Sequence, residues 1–86
     1  MNYIINKLSK LHQACRRGML ELDVLLGNYL KDVYPGLSID DKKLFVELLD
    51  YSDPELFAWL LGHQVPENRG LAKITEAIRC HARSRI

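Results

Sequence analysis

Apolar side chains in this 86-residue chain return at every third or fourth position with no sustained alternation, which restricts the fold to packed helices. Ile4, Leu8, Leu11 and Cys15 mark a first helix ending near Arg17. Leu22, Leu25, Leu26, Tyr29, Leu30 and Val33 mark a second. Pro35-Gly36 stops it, because proline lacks the amide donor and glycine accepts positive φ. Ser38 stands three residues before Asp41 in a shortened capping-box pattern and opens a third helix, which carries Leu44, Phe45, Leu48 and Leu49 and ends around Tyr51. Asp53-Pro54-Glu55 signals a short fourth helix: the aspartate accepts from orphan amides, the proline suits the first helical position, and the glutamate favours the positive end of the dipole. Phe57, Leu60 and Leu61 should share its apolar face, with Leu56 and Trp59 toward the flanks, and Gly62 should supply its left-handed cap. Leu71, Ile74, Ile78 and Ala82 mark a fifth helix, expected to fray through the basic tail RCHARSRI. The expected architecture is all-α, a compact bundle of five short helices forming a single domain over residues 1–86.

A chain of this length builds one modest core and has no room for separate catalytic and binding domains. Its 48% hydrophobic and 27% charged residues suit a globular protein. The longest apolar run, Leu56 to Leu61, is far short of the roughly 20 residues of a membrane span. No apolar stretch near residue 1 resembles a signal peptide. A cytoplasmic protein with no membrane insertion is expected, and Cys15 and Cys80, which form no CxxC pair, should be reduced thiols. The net charge of +1 hides an uneven distribution. Residues 1–17 hold four bases and no acid, residues 18–68 hold three bases and ten acids, and residues 69–86 hold five bases and one acid.

These residues offer little chemistry of their own. His12 and Cys15 lie three apart, but the neighbouring pair Cys80 and His81 would point about 100° apart on a helix, so no metal site is expected. No nucleophile–base pair, glycine-rich phosphate loop or HExxH is present, so no catalytic residue and no enzyme are expected. Arg16, Arg17, Arg79, Arg83 and Arg85 could neutralise phosphates, yet eleven acids, a pI of about 7.8 and the absence of a basic stripe with exposed aromatics argue against nucleic acid. A small helical nucleic-acid-binding or regulatory protein using its basic C-terminal helix is therefore the rival reading. Trp59 is open to two readings, a core residue or an anchor for a partner.

The stretch CRRGMLELD, Cys15 to Asp23, concentrates charge and a helix breaker. Local geometry accounts for it if Gly18 ends the first helix and Glu21 lies in the first turn of the second. A functional account is also available: bare backbone at Gly18 lets another protein approach, while Arg17 and Glu21 supply charge-assisted hydrogen bonds on either side.

Arg17-Gly18-Met19-Leu20-Glu21 resembles the RGxxE motif of the small bacterial FAD assembly factors, relatives of the mitochondrial factor that flavinylates succinate dehydrogenase. The likeness continues through Leu22 and Asp23, and Asp53, Pro54, Leu56, Phe57, Trp59 and Leu60 resemble that family's second block. It covers nearly the whole chain. At Leu20 the chain departs from relatives, where a basic residue is common. The resemblance implies a five-helix maturation factor that binds the flavoprotein subunit of succinate dehydrogenase, and often of fumarate reductase. It implies that the factor promotes covalent attachment of FAD to a histidine of that subunit. Carried onto this chain, Arg17, Gly18 and Glu21 would form the contact surface, with Asp23 and Arg16 beside them and Trp59 from the second block. No stably bound FAD of its own is implied, nothing in the chain resembles a dinucleotide fingerprint, and a monomer is expected.

Overall fold

The computed structural model describes residues 8–84. Ile4 and Arg85 lie outside them, as does the side chain of Leu8. Five helices follow in order: α1 (Leu8–Cys15), α2 (Leu20–Asp32), α3 (Ile39–Leu48), α4 (Asp53–Leu60) and α5 (Arg69–Ser84), with a 3₁₀ turn at Tyr34–Gly36 after α2. No strand occurs among the described residues, as the apolar periodicity requires. α2 is the central element and packs against α1, α4, α5 and the 3₁₀ turn, while α3 closes on α5. Its inner stripe, Leu22, Leu26, Tyr29 and Leu30, is buried at spacings of three and four residues. Tyr29 stacks on Phe45 of α3 with centroids 5.7 Å apart, and Tyr34 tilts onto the same ring at 5.3 Å.

The helix ends show where local signals decided the outcome. Ser38 caps α3 by accepting from the Asp41 amide. Gly62, at φ +83°, ends α4 in a Schellman arrangement: the His63 amide donates to the Ala58 carbonyl at 2.8 Å and the Gly62 amide to that of Trp59 at 3.3 Å. Asn68, an unanticipated cap, accepts from the Leu71 amide at 3.0 Å to open α5.

Four expectations need correction. The cap of α4 is Ser52, whose hydroxyl accepts from the Glu55 amide while the Glu55 carboxylate answers the Ser52 amide, so Asp53 is left free for other use. The buried face of α4 is Leu56, Trp59 and Leu60, whereas Phe57 and Leu61 are only half-buried. α1 stops at Cys15 rather than near Arg17, because the Arg17 amide turns to the Asp23 carboxylate instead of continuing the ladder. α5 stays helical to Ser84, since His81 packs edge-on against Tyr29 with centroids 5.6 Å apart and pairs with Asp32 at 3.1 Å.

Candidate functional site

The turn joining α1 to α2 is short and abrupt. The Arg16 amide donates to the Gln13 carbonyl at 3.1 Å, closing the end of α1. Gly18 then takes φ +84°, a backbone region costly for residues with a Cβ, and reverses the chain into α2. A Cβ at Gly18 would meet nothing within 4 Å, so within the fold the sign of φ, not crowding, calls for glycine here. The peptide at Gly18 is exposed, and so are the side chains of Arg16 and Glu21 on either side of it.

Arg17 is directed the other way. Its Nε donates to Asp53 Oδ1 at 2.8 Å, one terminal nitrogen to the Leu49 carbonyl at 2.7 Å, and the other to the Tyr51 carbonyl at 2.6 Å. Its backbone amide donates to Asp23 Oδ1 at 2.5 Å. These acceptors lie past the end of α3: the amides of Asp50 and Tyr51 bond three residues back to Glu47 and Leu48, and the carbonyls of Leu49 and Tyr51 follow the last helical turn, beyond reach of the helix's own amides. With 17% of its side chain exposed, Arg17 is a strut between the α1–α2 turn and the α3–α4 junction. Beneath it the Cys15 thiol is 2% exposed. Burial pushes its pKa up to about 12, the Arg17 charge opposing and the Asp23 charge adding to that rise.

The sequence-predicted site residues therefore divide. Arg16, Gly18 and Glu21 come together on the surface at one end of the bundle, whereas Arg17 and Asp23 brace the turn from inside. Trp59 stands apart from them in the core, 9% exposed, with its ring edge-on to Tyr51 at 5.0 Å. Its outer edge borders a cleft of about 390 Å³ shared with Tyr51, Pro66, Glu67, Asn68 and Leu71. Glu21 has no hydrogen-bond or ion-pair partner among the described residues and lines an open groove of about 320 Å³ with Leu20, Val24, Leu25 and Leu61.

Leu20 and Val24, 78% and 49% exposed, border the same groove and were not among the sequence-predicted site residues. Their signal was available: once Leu22, Leu26, Tyr29 and Leu30 are assigned inward, the apolar residues left over on α2 have no core to join. No helix among the described residues is long and apolar enough to cross a membrane. Of the C-terminal arginines on which the rival reading depends, Arg85 lies outside the described residues and the other two are engaged locally. One terminal nitrogen of Arg79 donates to the Trp59 carbonyl at 3.1 Å and the other pairs with Glu76 at 2.6 Å, while Arg83 leans on the Cys80 sulfur at 3.3 Å.

Known proteins resemble this chain over most of its length. A family model described as the flavinator of succinate dehydrogenase, Sdh5, matches residues 9–82. The FAD assembly factor SdhE of Shewanella oneidensis is 48% identical over 75 residues, covering 87% of this chain and 92% of that protein. The FAD assembly factor SdhE of Vibrio cholerae is 39% identical over 84 residues, 98% of each chain.

Proposed function

The chain belongs to the Sdh5 family of succinate dehydrogenase flavinators, and from that premise we propose that it binds the flavoprotein subunit of succinate dehydrogenase and promotes covalent attachment of FAD to it. The flavoprotein subunit of fumarate reductase is a second client on the same reading. The supporting observation is the α1–α2 turn: exposed peptide at Gly18 with φ +84°, beside the unpartnered Glu21 carboxylate.

Arg16, Gly18 and Glu21 form the contact set. A partner's backbone can approach Gly18 where any side chain would stand in the way, and Glu21 then accepts a charge-assisted hydrogen bond. Arg17 and Asp23 act as positioning residues that hold the turn in one conformation, lowering the ordering cost of docking. The chain itself contributes no group to the bond-forming step and holds no FAD stably; it acts in the cytoplasm, as a monomer until it meets its client.

The mechanism is a shift in population. Covalent flavinylation requires the flavin and the acceptor histidine of the client to be held in a reactive arrangement. A helper that binds this arrangement more tightly than the others enriches it, and about 1.4 kcal/mol of differential binding is enough for a tenfold change.

The test combines the chain with apo flavoprotein subunit and FAD, quenches in denaturant, and follows protein-bound flavin fluorescence over time. Acceleration by the wild-type chain, lost in folded Gly18→Arg and Glu21→Ala variants, is the expected result. No acceleration by the wild-type chain, or equal acceleration by both variants, refutes the proposal.

A further inference from the structure

α2 carries apolar side chains on two faces, and only one of them is spent on the core. Leu22 and Leu26 are fully buried, while Leu20 and Val24, one turn apart on another face, are 78% and 49% exposed. They are two of the four large hydrophobic residues that stand exposed among the described residues; Ile39 at the start of α3 and Val65 in the α4–α5 loop lie on other elements. Single exposed apolar residues are ordinary, but here Leu20 and Val24 join Leu25 and Leu61 in walling a groove of about 320 Å³ with Glu21 set in it.

We propose that this ledge, Leu20, Val24 and Leu61 around Glu21, seats an apolar side chain of the flavoprotein subunit flanked by a cationic side chain or backbone amide that meets Glu21. The inference rests on the docking reading above and extends it from the Gly18 turn along α2 to the end of α4. Two features favour this occupant. The ledge is continuous with the turn, since Leu20 follows Gly18 by two residues and Glu21 belongs to both surfaces. Its charge also demands a complement: covering an unpaired carboxylate with apolar surface is unfavourable unless the partner brings a donor. A second copy of this chain related by a two-fold axis through the ledge would instead bring two Glu21 carboxylates together in one dewetted seam.

The test measures the affinity of the full-length chain for purified apo flavoprotein subunit by calorimetry, with melting temperatures recorded in parallel. Leu20→Ser combined with Val24→Ser removes apolar surface that the fold leaves mostly exposed at Leu20 and about half exposed at Val24. It should weaken binding by roughly tenfold or more while the protein stays folded with only a small drop in melting temperature, and Leu20→Met should keep wild-type affinity. Glu21→Leu should weaken binding by roughly tenfold as well, because the partner's donor is then buried unpaired. If the double serine variant binds like wild type while Gly18→Arg does not bind, the ledge is overturned and the docking reading stands. If the wild-type chain itself fails to bind, the docking reading falls. If sedimentation shows a wild-type dimer that the double serine variant dissociates, with client affinity unaltered, the occupant is a second copy and the proposal is overturned.

Discussion

Arg17 Nε donates to Asp53 Oδ1 at 2.8 Å across 36 residues of sequence, joining the α1–α2 turn to the first turn of α4. The aspartate is available for this because Ser52 performs the capping of α4. The same guanidinium takes the carbonyls of Leu49 and Tyr51, so three elements meet on one side chain.

Removal of this strut should cost more than an exposed ion pair. The Arg17–Asp53 pair alone, with side chains 17% and 34% exposed, is worth about 0.5–1 kcal/mol. Arg17→Ala also strands two carbonyls, for a total loss of about 2–3 kcal/mol. Arg17→Lys should recover less than half, since an ammonium cannot reproduce the fork. Urea unfolding of Arg17→Ala, Asp53→Ala and the double variant checks this, with a coupling energy of about 0.5–1 kcal/mol expected between the two positions.

Gly18 and Gly62 have nearly the same φ, +84° and +83°, and unequal predicted consequences for function. Alanine at either position should cost about 1 kcal/mol, because a Cβ is strained there although no neighbour obstructs it. Larger side chains separate the two. Gly62→Arg should reduce stability and, standing beside Leu61 at the edge of the ledge, weaken client binding only modestly, whereas Gly18→Arg should abolish client binding in a folded protein. Melting temperature and client affinity measured on the same samples decide the point.

The two thiols should behave as opposites. Cys80 is exposed, and Cys15 is buried with its pKa raised from 9.0 to about 12 by burial, the Arg17 charge lowering it and the Asp23 charge raising it. An alkylating reagent at neutral pH should modify Cys80 rapidly and Cys15 only on unfolding. The sign of the pH effect follows from the raised folded-state value. Above pH 9 the unfolded thiol ionises while the folded one does not, so this contribution is intact below pH 9 and is lost progressively toward pH 12. Tyr29 and Tyr34, whose pKa values burial also raises, act in the same direction from pH 10 upward. Cys15→Ala should be less stable at neutral pH yet show a shallower fall in melting temperature above pH 9.

Ser52→Ala removes the serine side of the capping box and should cost about 1 kcal/mol. Asp53→Asn keeps the cap but weakens the Arg17 pair and removes one first-turn carboxylate of α4, for a loss of about 1 kcal/mol. Thermal unfolding of the two single variants separates the roles that a reading of Asp53-Pro54-Glu55 as one start signal merges.

What the sequence made legible follows from the range of each interaction. The apolar stripes of α2 and α5, the Ser38 cap and the Gly62 cap depend on residues within one or two helical turns, and all of them can be read from spacing. Gly18 was recognisable for the same reason, its positive φ being a local demand. The inward course of Arg17 was not legible, because its three shortest side-chain hydrogen bonds reach acceptors 32 to 36 residues away, two of them carbonyls that carry no side-chain signature. Nor was the role of Trp59, whose burial depends on the angle at which α4 meets α2 and α5 rather than on its own neighbours in sequence. Leu20 and Val24 were missed because their sign emerges only by subtraction, after Leu22, Leu26, Tyr29 and Leu30 have been assigned to the core.

The strut has a genetic corollary. Asp53 belongs to a block of sequence far from the α1–α2 turn, yet on the proposed function an allele altering it should resemble a mild allele of the turn, with weakened client recruitment and little sign of global collapse. A screen for restored activity starting from such an allele should return compensating changes among Arg17, Gly18 and Asp23, so that two distant segments of the chain behave as a single locus of selection.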